Sequence, residues 1–149
     1  MLSLTHVSNV SGIKLPVKEI VEAAHSRNIY VHIDGAQTWG AMSLDLKELD
    51  VDSFSGSAHK WFMGPKEVGL LYVKENNIER IWPSIVAPGW GTSSDTTLEG
   101  ARKFESLGQR DDAALAGIGS AAKQHDLIGT ERIENRIIFL KLKGQKNHV

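Results

Sequence analysis

Cysteine is absent from this 149-residue chain, which excludes a disulfide framework and any thiolate metal site within it. A chain without thiols fits a reducing compartment. Also missing is any apolar run near the ~20 residues of a membrane-crossing helix. The start, Met1-Leu2-Ser3-Leu4-Thr5-His6, has neither the basic region nor the apolar core of a signal peptide. A cytoplasmic protein with no membrane partner is the expectation. Nor is one charge in excess: 17 basic against 18 acidic side chains give a formal net charge of -1, so no polycationic face for nucleic acid is expected. There is no internal repeat and no low-complexity segment. Apolar residues make up 41% and charged residues 23%, the profile of a soluble globular chain about one domain long.

The pattern reads as alternating strand and helix. Residues 2–7 predict a short strand, followed by a polar loop through Asn9, Ser11 and Gly12. Pro16 suits the first turn of a helix, and Val17, Ile20, Val21 and Ala24 follow at helical spacing. Glu19 and Glu22 near its front and His25 and Arg27 at its end suit the helix dipole, and Asn28 can close it in a left-handed conformation. Residues 29–33 predict a strand that ends in Asp34. Residues 45–50 read as a short surface helix, and residues 51–55 and 68–73 as strands. Strand, helix, strand argues for an α/β sheet with crossover connections, whose ligands bind beyond the carboxyl ends of the strands. Residues 88–94 form a loop by composition. Residues 111–125 predict a helix with Leu115, Ile118 and Ala122 on one face, where Gly117 and Gly119 weaken it or allow close packing. Thr130 can cap a last helix carrying Ile133, Ile137 and Leu140; residues 141–149, with three lysines and no acid, read as a solvated tail.

Two stretches carry chemistry: His32-Ile33-Asp34-Gly35-Ala36-Gln37 and Ser55-Gly56-Ser57-Ala58-His59-Lys60-Trp61. A carboxylate at a strand terminus and, 26 residues later, a lysine in a tight, partly apolar loop are what a pyridoxal 5'-phosphate (PLP) site needs. The lysine forms a Schiff base and the acid keeps the pyridine nitrogen protonated. Each residue also has a plainer reading. Lys60 is one of eleven lysines and can lie at a sheet edge with its stem on Trp61. Lys66 is its main rival, in what looks like an exposed turn. Asp34 can cap the turn through Gly35. Gln37 can serve a ligand oxygen or loop backbone groups. Ser57 and His59 can donate to a phosphate. His32 and Asp34 alone are too few for a metal site, and no metal is expected.

The two stretches, taken with Thr5-His6-Val7-Ser8-Asn9, Gly12, Pro16, Gly64-Pro65 and Gly69, resemble the class V aminotransferase superfamily. That superfamily includes cysteine desulfurases and isopenicillin N epimerase-like proteins. The likeness covers roughly the first three-quarters of the chain, and Phe104-Glu105 with Gly108 and Asp111 extends it towards the epimerase-like branch. It implies part of the large domain of a fold-type I PLP-dependent enzyme, a three-layer α/β/α arrangement on a mainly parallel sheet. It implies Lys60 as the Schiff-base lysine that also moves the substrate α-proton, and Asp34 paired with the pyridinium nitrogen. Gln37 and Asn9 would lie on the phenolic-oxygen side, with Ser57 and His59 on the phosphate. Where relatives often carry Gly-Thr, whose threonine reaches a phosphate across the dimer interface, this chain has Gly108-Gln109, and Gln109 can donate a similar bond.

The resemblance also implies parts not found here: a Gly/Thr phosphate loop and a ring-stacking side chain upstream, and a carboxylate-binding arginine and the desulfurase cysteine downstream. The expectation is therefore the middle of a PLP enzyme. Residues 1–128 would belong to the large domain and residues 129–149 would begin the helix towards the small one. The parent would be a homodimer acting on an amino acid as its small-molecule substrate, as an aminotransferase or epimerase-like enzyme. The alternative is a truncated, catalytically inactive piece acting only through association with a partner subunit, with residues 104–111 in the contact. A metal hydrolase using His6, His32, Asp34 and His59 is the third reading.

Overall fold

A computed structural model describes residues 1–92, 99–105 and 108–146. Four strands form one sheet in the order β1 (Leu2–Thr5), β2 (Val31–Asp34), β3 (Ser53–Ser57), β4 (Gly69–Val73). β1–β2 and β2–β3 pair in parallel and β3–β4 antiparallel, so the sheet is mainly parallel, as expected. The helix α1 (Val17–His25) connects β1 to β2, and α2 (Asp112–Ile128) and α3 (Thr130–Lys146) follow the sheet.

The stripe on α1 explains its docking. Val17, Val21 and Ala24 are buried against Val31, Ile33, Val51 and Phe54. Each large side chain so buried contributes roughly 1.5–3 kcal/mol relative to exposure. Asn28 adopts φ 55 after the helix, as its residue type allows. Under the core lies Asp52, which accepts from the Val31 N–H (2.7 Å), His25 Nε2 (2.9 Å) and Asn77 Nδ2 (2.7 Å). Burial pushes its carboxyl up, but the bonds from Val31, His25 and Asn77 outweigh it and hold the pKa below the ordinary value.

Several boundaries differ from expectation. β2 begins at Val31 because the Ile29 N–H is taken by the Ala24 carbonyl at the end of α1. Residues 45–50 form turns, not a helix. Asp45 Oδ1 accepts from the Lys47 and Glu48 N–H groups and Asp50 sits at φ 54, and so short a segment cannot repay helix nucleation. α2 runs to Ile128, with the Asp111 carboxylate capping the Ala114 N–H at 3.0 Å. Thr130 is the first residue of α3 rather than a flanking cap, and α3 continues through Lys146. Lys141 and Lys143, in the C-terminal half of α3, suit the helix dipole. Once nucleated, each added residue gains a hydrogen bond. The expected loop residues Ser93 and Ser94, and residues 147–149 of the expected tail, lie outside the described residues.

Candidate functional site

The pleat of β2 sends Val31 and Ile33 into the core and His32 and Asp34 to the opposite face. On β3 the register sets Ser53 beside His32 and Ser55 beside Asp34. Both ring nitrogens of His32 are engaged, Nδ1 with Ser53 Oγ at 2.8 Å and Nε2 with Ser55 Oγ at 3.2 Å. Burial lowers the His32 pKa, opposed in part by the Asp34 carboxylate. Asp34 is exposed at the carboxyl end of β2 and accepts the Ala36 N–H at 2.9 Å. The turn-forming role read from its sequence is therefore present. The turn hugs the sheet: a Cβ on Gly35 would lie 1.9 Å from the Phe54 ring.

Beyond Ser57, at the end of β3, the chain folds back on itself. Gly64 N–H donates to the Ala58 carbonyl (2.7 Å) and Met63 N–H to the Lys60 carbonyl (3.0 Å), with Met63 at φ 57. His59 and Lys60 are exposed on this turn. The Trp61 indole N–H donates to Gln37 Oε1 at 3.0 Å. Phe62 is sandwiched between Trp39 (centroids 4.1 Å apart) and His125 of α2 (5.0 Å). Gly40, at φ 85, permits this approach, since a Cβ there would lie 2.5 Å from Phe62 N.

Gln37, Lys60, Trp61 and Met63 line one side of a cleft of ≈ 800 Å³; Ile128, Arg132, Ile133, Arg136 and Ile137 line the other. Of the residues singled out from sequence, Gln37 and Lys60 are thus brought together. Asp34 and Ser57 lie at the carboxyl ends of adjacent parallel strands but do not line the cleft. From strand spacing and rise, their backbones are on the order of 8 Å apart. Asn9 is exposed on the loop leaving the same edge of β1. Gln109 is exposed near the start of α2. Its neighbours Arg110 and Asp111 line a separate groove with Lys66 and β4. The arginines of α3 escaped the sequence reading, although residues 132, 133, 136 and 137 recur at one-face helical spacing. The Trp39–Phe62–His125 stack escaped it too, and no short-range signal points to it. Among the described residues, no group of three or more His, Asp or Glu is arranged to hold a metal ion. No helix among them is long and apolar enough to cross a membrane.

A mainly parallel sheet flanked by helices matches the large-domain architecture of fold-type I PLP enzymes. The profile of the class V aminotransferase family matches residues 1–144, and the chain belongs to that family. It is 32% identical over 140 residues to a cysteine desulfurase of Cronobacter sakazakii, covering 91% of this chain and 34% of the relative. It is 36% identical over 138 residues to a probable cysteine desulfurase of Halalkalibacterium halodurans, covering 90% and 34%. The apo structure of a cysteine desulfurase from Thermococcus onnurineus NA1 superposes with a TM-score of 0.81 at 27% identity, covering 97% of this chain and 38% of that one. The chain thus spans about a third (34%) of the length of the curated relatives it matches.

Proposed function

We propose that this chain carries the lysine and carboxylate of a PLP-dependent site acting on an amino acid. We further propose that it is catalytically silent alone and works only in association with further polypeptide, from a longer chain or a partner subunit. The observation that carries the reading is the cleft shared by Lys60 and Gln37, the latter three residues on from Asp34 at the end of β2. The share of relatives' length that the chain covers supports the second half.

The residues present are chemically compatible with the cofactor. When bound, PLP supplies an aldehyde carbon that takes up an amine and a ring that accepts electrons from the substrate. Lys60 lines the cleft and carries the amine suited to move the proton at the substrate α-carbon. Asp34 commits one carboxylate oxygen to Ala36, and the other makes no hydrogen bond among the described residues, leaving it to hold a proton on a ring nitrogen. Gln37 has its carbonyl oxygen engaged by Trp61, so its NH₂ is the group offered to a ligand oxygen. Asn9 joins Gln37 on that side, and Ser57 and His59 supply donors for the phosphate. Gln109 serves the phosphate of a second subunit in a homodimer. Residues 1–128 form large-domain structure and residues 129–149 begin the helix towards a small domain. The complete protein is assigned to the cytoplasm, in keeping with a cysteine-free chain.

PLP titration followed by absorbance, alongside amino-acid turnover, tests this with the chain alone and with the chain mixed with a full-length class V protein. Expected are association with that protein, no turnover by the isolated chain, and, after borohydride reduction of the mixture and separation of the two polypeptides, loss of the pyridoxyl group from this chain on Lys60→Ala. Turnover by the chain alone contradicts the silent half; a pyridoxyl group on this chain that is absent in the wild type or persists in Lys60→Ala contradicts the other.

A further inference from the structure

We infer that His125 is the positioning residue that sets where Lys60 sits. His125 is buried in the last turn of α2, and its Nε2 lies 3.1 Å from the Trp61 carbonyl. A carbonyl only accepts, so Nε2 carries the proton and donates. The same ring stacks on Phe62, with an interplanar angle of 9°. Trp61 and Phe62 are the two residues that follow Lys60. His125 therefore grips the lysine turn twice, through a backbone oxygen and through a ring face.

The other side of the turn is held by the β2 loop. Trp39 covers the far face of Phe62 at 4.1 Å, and Gln37 takes the Trp61 indole N–H. Within the turn itself the Met63 and Gly64 amides close only two bonds, to Lys60 and Ala58. Those two bonds fix the turn's shape. Its base is tied to the sheet by the Ala58 N–H bond to the Val68 carbonyl (3.0 Å). The part that carries Lys60 is held further by the contacts of its side chains and of the Trp61 carbonyl. A phenyl ring at 125 could stack but could not reach the carbonyl as a donor; an amide could donate but would stack poorly. Histidine does both. Such outer support is what holds a reactive group within the small tolerance that chemistry requires.

The functional meaning of this placement rests on Lys60 being the reactive amine; the placement itself does not. Hydrogen exchange of the full 149-residue chain, resolved to the Met63 and Gly64 amides and referred to the β2 amides, reads the turn directly. His125→Phe is expected to speed exchange at Met63 and Gly64 about fivefold relative to β2, the equivalent of one net hydrogen bond of ~1 kcal/mol. His125→Gln is expected to restore much of that protection. Pyridoxyl labelling of Lys60 at limiting PLP with borohydride should follow the same order: wild type, then His125→Gln, then His125→Phe. If His125 serves packing alone, the order reverses, with His125→Phe matching wild type and His125→Gln worst, and the inference is overturned. Unchanged exchange in both variants overturns it equally. A wild-type chain whose Lys60 takes no label, in the assembly as well as alone, condemns the PLP reading instead; the exchange ratios still decide the role of His125.

Discussion

His32 has both ring nitrogens committed to serine hydroxyls on β3, and it sits one pleat from Asp34 on the same face. Its pKa is lowered, by burial first. That of His6 is lowered as well, by burial and then by Lys14, and His6 Nδ1 is buried without a partner among the described residues. A histidine whose folded pKa lies below its unfolded value binds its proton more readily when unfolded. Stability is then complete above the unfolded pKa, near 6.5, and is lost as pH falls from there towards the lowered folded value. Urea midpoints are therefore expected to fall between pH 7 and pH 5. His32→Gln should flatten that fall, with His6 accounting for the slope that persists. A slope unaltered by His32→Gln would remove His32 from the account. At this scale the place of Asp34 at the end of β2 and its turn to Ala36 were legible, because short local patterns carry them. The Trp61–Gln37 bond was not, because it joins residues 24 apart through a tertiary contact.

Among the elements, α1 was legible from its apolar stripe, and β3 and β4 from their composition. The six-residue segment from Asp45 to Asp50 was not. Its spacing resembles a helix, but the Asp45 side chain spends itself on local N–H groups and a turn results. α2 settles the double reading of its glycines. At Gly117 an added Cβ would lie 2.6 Å from Pro65 Cγ, whereas at Gly119 nothing lies within 4 Å. Gly117 is thus close packing and Gly119 only a weaker helix position. Gly119→Ala should stabilise the chain by about 1 kcal/mol, the helical advantage of alanine. Gly117→Ala has the same propensity gain but must displace a rigid ring. It should therefore come out no better than wild type and shift the Pro65 resonances. Equal stabilisation by both, measured by thermal or urea unfolding, would show that α2 does not pack on Pro65 in solution.

At the scale of the molecule, neither outer strand of the sheet, β1 or β4, has a second strand paired to it among the described residues. Leu2 on β1 is 37% exposed, and Leu70 and Leu71 on β4 are 40% and 48% exposed. Uncovered apolar edge strands favour association with further polypeptide. The candidate site has the same character: donors lie on one side of the strand ends, and the cleft wall opposite is made by a helix whose Arg132 and Arg136 have no ion-pair partner among the described residues. The family and the sheet were readable from the chain's motifs; the way α3 closes the cleft depends on long-range packing and was not. The most direct test is to incubate the protein, in complex with a full-length class V partner, with PLP, reduce it with borohydride and map its lysines. The expected result is a single pyridoxyl group on Lys60, diminished by Asp34→Asn. A label on Lys66 or elsewhere, or none on this chain, would contradict the assignment of the lysine and with it the reading of the cleft.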